Sequence, residues 1–171
     1  MITPDDFEDV SDIEIRTEIK PGDIGALVFL HGSLYAREYG FNERFEAYVA
    51  GPLAEFVLRN SPRERLWIAE QGDRPVGCVA IVEAAEKIAQ LRWFLVDPVA
   101  RGMGLGSELL GEAVTFSWKA GYRSVILWTV SALVDAGRLY QSARFRKVDE
   151  KPPHADWGVS VTEEKYELEI R

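Results

Sequence analysis

An apolar run closes at Leu95-Val96, and Asp97-Pro98 interrupts it. Arg101-Gly102-Met103-Gly104-Leu105-Gly106-Ser107 then leads into a stretch with Leu105, Leu109, Ala113 and Phe116 at helical spacing. Proline restricts its predecessor and cannot donate to a ladder, so the first run reads as a strand ending near Asp97. The glycines admit backbone conformations that a Cβ blocks, so strand turns sharply into helix. A strand joined this closely to a helix needs the helix packed back on its sheet, which predicts an α/β chain.

The flanks extend that reading. Asp12 to Ile19 alternates with period two and predicts a half-buried strand. Pro21-Gly22-Asp23 opens a helix with Asp23 as the expected N-cap, and Gly40 stops it. Asn42 is placed to cap a second helix, which Pro52 is expected to kink or interrupt. Leu66–Ala69 and Val76–Val82, separated by Gln71-Gly72-Asp73-Arg74-Pro75, read as a hairpin, followed by a strand over Ala89–Val96. After the glycine-rich segment come a helix ended by Gly121, a strand at Val125–Trp128 and a helix from Ser131 to about Ser142. Strands near Phe145–Val148 and Lys165–Ile170 close the chain. The expected fold class is α/β, a mixed and mostly antiparallel sheet of about seven strands flanked by about four helices.

Residues 1–171 are expected to form a single domain with Met1–Val10 as a flexible tail. The 47% hydrophobic content suffices for a core without disulfides or metals. Net charge is −8, from 20 Lys+Arg against 28 Asp+Glu, which disfavours nucleic acid as a partner. Cys78 is the only cysteine, and with His31 and His154 as the only histidines no metal site is expected. A single thiol suits a reducing compartment. No apolar run approaches membrane-spanning length and the N-terminus lacks a signal-peptide layout, so the expectation is a cytoplasmic protein with no membrane partner.

The glycine segment also carries chemistry. The first amides of a helix lack carbonyl partners, and the helix dipole favours negative charge there. With Gly102, Gly104 and Gly106 letting a ligand approach, a pyrophosphate is the natural guest, and Arg101 adds a cation or shapes the loop. The dinucleotide fingerprint is not met, since its third glycine would fall on Ser107 or Leu109. The Walker loop's Gly-Lys-Ser/Thr is also missing. Taken alone, the segment also fits a tight turn that merely needs positive φ.

Arg101, Gly104 and Gly106 match the Arg/Gln-x-x-Gly-x-Gly/Ala pattern, so the run resembles the cofactor loop of the GNAT superfamily of N-acetyltransferases. Leu127-Trp128-Thr129 resembles that family's fifth strand. Ala136, Leu139-Tyr140 and Phe145 resemble its Ala-x-x-Leu-Tyr-x-x-x-Gly-Phe helix ending. His31-Gly32-Ser33-Leu34-Tyr35-Ala36-Arg37-Glu38-Tyr39-Gly40 is similar to the first helix of GNAT domains fused to MarR-type regulators, whose DNA-binding half is not expected here. The likeness runs from about Ile13 to Ile170. It implies acetyl-CoA as co-substrate, with pyrophosphate on Arg101 to Ser107, Met103 included, and pantetheine along the backbone of Leu95 and Val96. It implies transfer of acetyl to a primary amine of a small molecule or protein, with Tyr140 beside the thioester sulfur as donor to the leaving thiolate.

The chemistry sets its own demands. A lysine-like ammonium must lose a proton, at roughly 4–5 kcal/mol at pH 7, so a proton acceptor is needed. His31, Tyr35 and Glu38 fall on one helix face and are candidates to line the acceptor cleft; His31 also reads as an ordinary core histidine. His154 reads as a surface-loop residue or as a border of that cleft. Departures from the family pattern are Val130 in place of an asparagine and Arg144 in place of a glycine. Ser131 is then the expected helix cap, and a different turn is expected after Ala143. Gln90 and Arg92 on the fourth strand offer no carboxylate base. A non-catalytic acyl-CoA-binding or sensing module is the alternative reading, and a homodimer stays open.

Overall fold

The computed structural model describes residues 13–171, so the expected tail at Met1–Val10 lies outside the described residues. The strands are β1 (Glu14–Arg16), β2 (Arg65–Gln71), β3 (Arg74–Ala85), β4 (Ile88–Val96), β5 (Ser124–Val130), β6 (Arg146–Glu150) and β7 (Glu163–Glu169). The α-helices are α1 (Asp23–Tyr39), α2 (Glu43–Arg59), α3 (Leu105–Lys119) and α4 (Val134–Ser142). Sheet order is β1-β2-β3-β4-β5-β7-β6. Neighbours are antiparallel except β4 and β5, which run parallel. This is the mixed, mostly antiparallel α/β sheet expected from the sequence.

The sheet separates two cores. Leu105, Leu109 and Ala113 of α3 pack with Val79, Ile81 and Leu127 on one face. Leu27, Leu34, Phe45 and Leu53 of α1 and α2 pack with Ile68, Cys78 and Ala80 on the other. Gly77 to Val82 is accordingly a buried run with alternate side chains in opposite cores, as a strand covered on both faces requires. Burying a leucine as fully as Leu53 contributes about 2 kcal/mol.

Several local expectations need correction. Of the strand expected over Asp12 to Ile19, Asp12 lies outside the described residues, and pairing is confined to Glu14–Arg16 among those described. Gly22, at φ 96°, is the N-cap of α1, and Asp23 is its first helical residue. The Asp23 carboxylate accepts from Arg16 at 2.7 and 2.8 Å and from the Lys20 N–H at 2.6 Å, so it is not spent on the helix amides. Asn42 does cap α2, accepting from Arg44 N–H at 3.1 Å. Pro52 does not interrupt α2, because Val49, Leu53 and Phe56 bury its inner face on both sides of the proline. Ser131 does not cap α4; Leu133 stands at the N-cap, and the Ser131 N–H donates to Thr162 O. Nor does Arg144 change the turn. It takes the left-handed conformation a glycine would, at φ 70°, with Phe145 N–H to Tyr140 O and Arg144 N–H to Gln141 O. Those bonds form a Schellman ending, in which glycine is the usual occupant.

Candidate active site

Two features of β4 create the site. Its parallel pairing with β5 ends at Gln90↔Ile126, so the strand from Leu91 to Val96 has no β5 partner. On the β3 side, Trp93 and Phe94 stand opposite the single residue Val79, between the pairs Cys78↔Leu95 and Ala80↔Arg92. Trp93 has φ 47°, a strained value for a bulky residue. Bulges re-aim side chains beside functional clefts. Here Leu91 packs in the α3 core, whereas Trp93 and Leu95 pack in the α1–α2 core.

A cavity of about 470 Å³ fills the opening between β4, α1 and the start of α4. Leu95, Val96, Arg101, Gly102, Gly104, Leu105, Gly106 and Ser107 line it; Met103 does not, and is half exposed. Gly102 and Gly104 have φ 77° and 80°, so the expected need for glycine is met at both. Gly106 serves through space instead: a Cβ there would lie 3.3 Å from Leu139 Cδ2 and 3.7 Å from Phe94 Cζ. The first helical bond of α3 runs from Glu108 N–H to Gly104 O, which leaves the amides of Leu105, Gly106 and Ser107 without intrahelical acceptors. Arg101 donates from Nε to Val96 O at 3.1 Å and pairs with Glu38 at 2.9 Å.

A second cavity, of about 110 Å³, lies between α1, α2, β4, β5 and β7. Tyr35, Phe94 and Leu133 line both cavities, which therefore share a wall. His31 and Tyr35 line the smaller one, whereas Glu38 lines the larger, held there by Arg101, so the three are not brought to one cavity. Burial drives the His31 pKa down to about 4, so its ring is neutral at pH 7. Its Nδ1 donates to Leu27 O at 2.8 Å, and Nε2 is buried without a partner among the described residues. Tyr140 lines the smaller cavity among Phe94, Phe145 and Tyr166, with ring centroids about 6 Å away. Burial pushes its hydroxyl pKa well above the usual phenol value, so the group stays protonated. Val130 is buried in the α1–α2 core and walls the same cavity.

Glu163 and Trp157 complete that cavity, and sequence reasoning did not single either out. Glu163 is a buried carboxylate at the first position of β7, opposite Val130. Reading the last strand from Lys165 leaves Glu163 outside it; the alternation Val161, Glu163 into β7 was the available signal. His154 Nε2 lies 2.9 Å from Glu163 Oε2, and the Asp156 N–H donates to His154 Nδ1 at 3.3 Å. The Asp156 carboxylate also lies 3.4 Å from Nδ1, so the ring stands between two carboxylates. His154 also meets Trp157 edge-on at 5.2 Å, so its loop does border the cavity.

The profile of the Acetyltransferase (GNAT) family matches residues 33–145. The chain belongs to the GNAT family of acetyltransferases. An uncharacterised N-acetyltransferase of Schizosaccharomyces pombe is 29% identical over 118 residues, covering 67% of this chain and 72% of that one. Human N-acetyltransferase 8B is 34% identical over 86 residues, covering 47% of this chain and 38% of that protein. A GNAT-family acetyltransferase of Staphylococcus aureus superposes with TM-score 0.76 at 14% identity, covering 94% of this chain and all of that one. A Salmonella typhimurium protein described as an acetyltransferase, solved with its cofactor acetyl-CoA, superposes with TM-score 0.74 at 17% identity, covering 93% and 94% of the two chains. The chain is a GNAT N-acetyltransferase, and the ligand held by its Salmonella structural neighbour is acetyl-CoA. Free amides at the start of α3, positive-φ glycines and an unpaired strand edge beside a large cavity all fit that ligand. Among the described residues no helix is long and apolar enough to cross a membrane.

Proposed function

We propose that this GNAT protein transfers acetyl from acetyl-CoA directly to a primary amine held in the 110 Å³ cavity. The observation that carries this is the shared wall of Tyr35, Phe94 and Leu133 between the glycine-loop cavity and the smaller one. A thioester reaching that wall from one side meets an amine arriving from the other, which is the near-attack arrangement the reaction needs.

Each residue then has a task. The amides from Arg101 to Ser107 hold the pyrophosphate, and the backbone of Leu95 and Val96 pairs with pantetheine along the edge β5 leaves open. Glu163, backed by His154, attracts the incoming ammonium and takes up its proton, directly or through water. His31 and Tyr35 shape the acceptor side, where neutral His31 accepts hydrogen bonds rather than carrying a proton. Tyr140 donates to the sulfur as thiolate develops. Because burial weakens it as an acid, hydrogen-bond donation is favoured over complete proton transfer.

A module that only bound acyl-CoA would need no carboxylate at the acceptor cavity, and Glu163 is there. The setting we propose is cytoplasmic, in keeping with a single, buried thiol at Cys78. The test is thiol release from acetyl-CoA over a panel of primary amines, with product mass as second readout. Amine-dependent release is expected. Calorimetric binding of acetyl-CoA with no amine-dependent release would favour the binding module.

A further inference from the structure

The smaller cavity holds one cationic and one anionic side chain that do not pair with each other. Arg92 enters from β4 just before the bulge. Its guanidinium carbon lies 4.9 Å from the Trp93 ring centroid and 5.9 Å from that of Tyr48. Among the described residues no carboxylate lies within salt-bridge distance of it. A guanidinium over aromatic faces keeps its planar fork of N–H donors at the edge, where a carboxylate fits bidentately.

Glu163 enters from β7. Its contacts with His154 at 2.9 Å and Lys151 at 3.6 Å both fall on Oε2, and Oε1 has no partner among the described residues. Lys151 is half exposed, so it screens Glu163 only partly. Between the two charges the walls are aromatic, with Tyr35, Phe45, Trp93 and Trp157 prominent.

This combination disfavours a purely cationic acceptor on physical grounds. An ammonium confined in about 110 Å³ with Arg92 suffers like-charge repulsion in a poorly solvated space, and a second amine would add to it. A guest with an ammonium, a carboxylate and an apolar body satisfies every wall. We propose that the acceptor is a free amino acid with an apolar side chain, its carboxylate held by Arg92 and its amine by Glu163. The inference rests on the acetyl-transfer reading above and narrows its substrate.

Matched pairs that differ only in the carboxylate test it: L-phenylalanine with phenethylamine, L-leucine with isoamylamine, and L-methionine with 3-(methylthio)propylamine. With wild-type protein, kcat/KM is expected to favour the amino acid by about tenfold or more in at least one pair. Arg92→Gln is expected to erase that preference through KM, and Arg92→Lys to restore part of it. Unchanged acetyl-CoA affinity and cooperative unfolding would show that Arg92→Gln is folded; the wild-type pairs decide the matter even if it is not. Amines acetylated as well as their amino acids would overturn the carboxylate site and leave amine acetylation standing. Thiol release with no member of any pair, alongside release with other amines, would also overturn it. No release with any amine at all would overturn the transfer reading itself.

Discussion

Arg101, at the entrance of the glycine loop, pairs with Glu38 in the last turns of α1 at 2.9 Å, so the loop's cation is tied across the cavity to a carboxylate. Glu38 therefore adds negative charge to the cavity proposed to hold acetyl-CoA. Partly exposed pairs are worth about 0–1 kcal/mol, so its effect on binding should be modest. Glu38→Gln is expected to tighten acetyl-CoA binding about two- to fivefold at low salt, and less at high salt. Calorimetry at two ionic strengths checks this, and weaker binding would contradict it.

Gly104 is the N-cap of α3 at φ 80°, and a Cβ there would touch no protein atom within 4 Å. The penalty for Gly104→Val thus comes from backbone conformation, at about 1–2 kcal/mol, and from crowding of bound phosphates. Acetyl-CoA affinity should fall about tenfold or more while unfolding stays cooperative. Full affinity in the folded variant would remove the loop from the binding site.

Tyr140→Phe keeps the ring that packs against Phe94, Phe145 and Tyr166 and removes only the hydroxyl. The expected result is a fall in kcat of about 10²-fold with acetyl-CoA affinity nearly unchanged, if the hydroxyl acts as proposed when the thiolate forms. Near-normal kcat, where chemistry limits the rate, would assign the sulfur to another donor.

His31 is neutral when folded, with its pKa down at about 4, whereas an unfolded histidine titrates near 6.5. Below pH 6.5 the unfolded chain binds a proton that the folded chain refuses. Stability is therefore fully present above pH 6.5 and declines toward pH 4, by about 3 kcal/mol in all. Asp23 and Glu70, both lowered by hydrogen bonds from Arg16, add losses at more acidic pH. Denaturant midpoints between pH 7 and 4 should fall steeply for the wild type and less steeply for His31→Gln. Equal slopes would show that His31 is solvated when the chain is folded.

Arg144 is exposed and left-handed at the end of α4. Arg144→Gly removes that strain without losing a packed side chain, although it loosens the unfolded chain. A gain of about 0.5–1 kcal/mol is expected, or about 1–3 °C in Tm. A lower Tm would mean that the arginine earns its place through contacts made elsewhere.

The order of strands and helices, the Gly40 and Asn42 caps and the glycine loop were all legible in the sequence. Each depends on φ, ψ preference, side-chain period or a cap within a few residues, and such forces act along the chain. The smaller cavity depended on none of them. Arg92 and Trp93 lie on one side because a bulge against Val79 shifts the alternation. Glu163 reaches the cavity because β7 pairs with β5 in the register Val130↔Glu163, and Trp157 because its carbonyl accepts from the Asn42 N–H at 2.9 Å. Pairing register and bulges are settled by contacts between segments distant in sequence, so no local pattern marks them. The sequence alone determined where a glycine loop turns strand into helix; the tertiary structure decided which charges and rings line the smaller cavity.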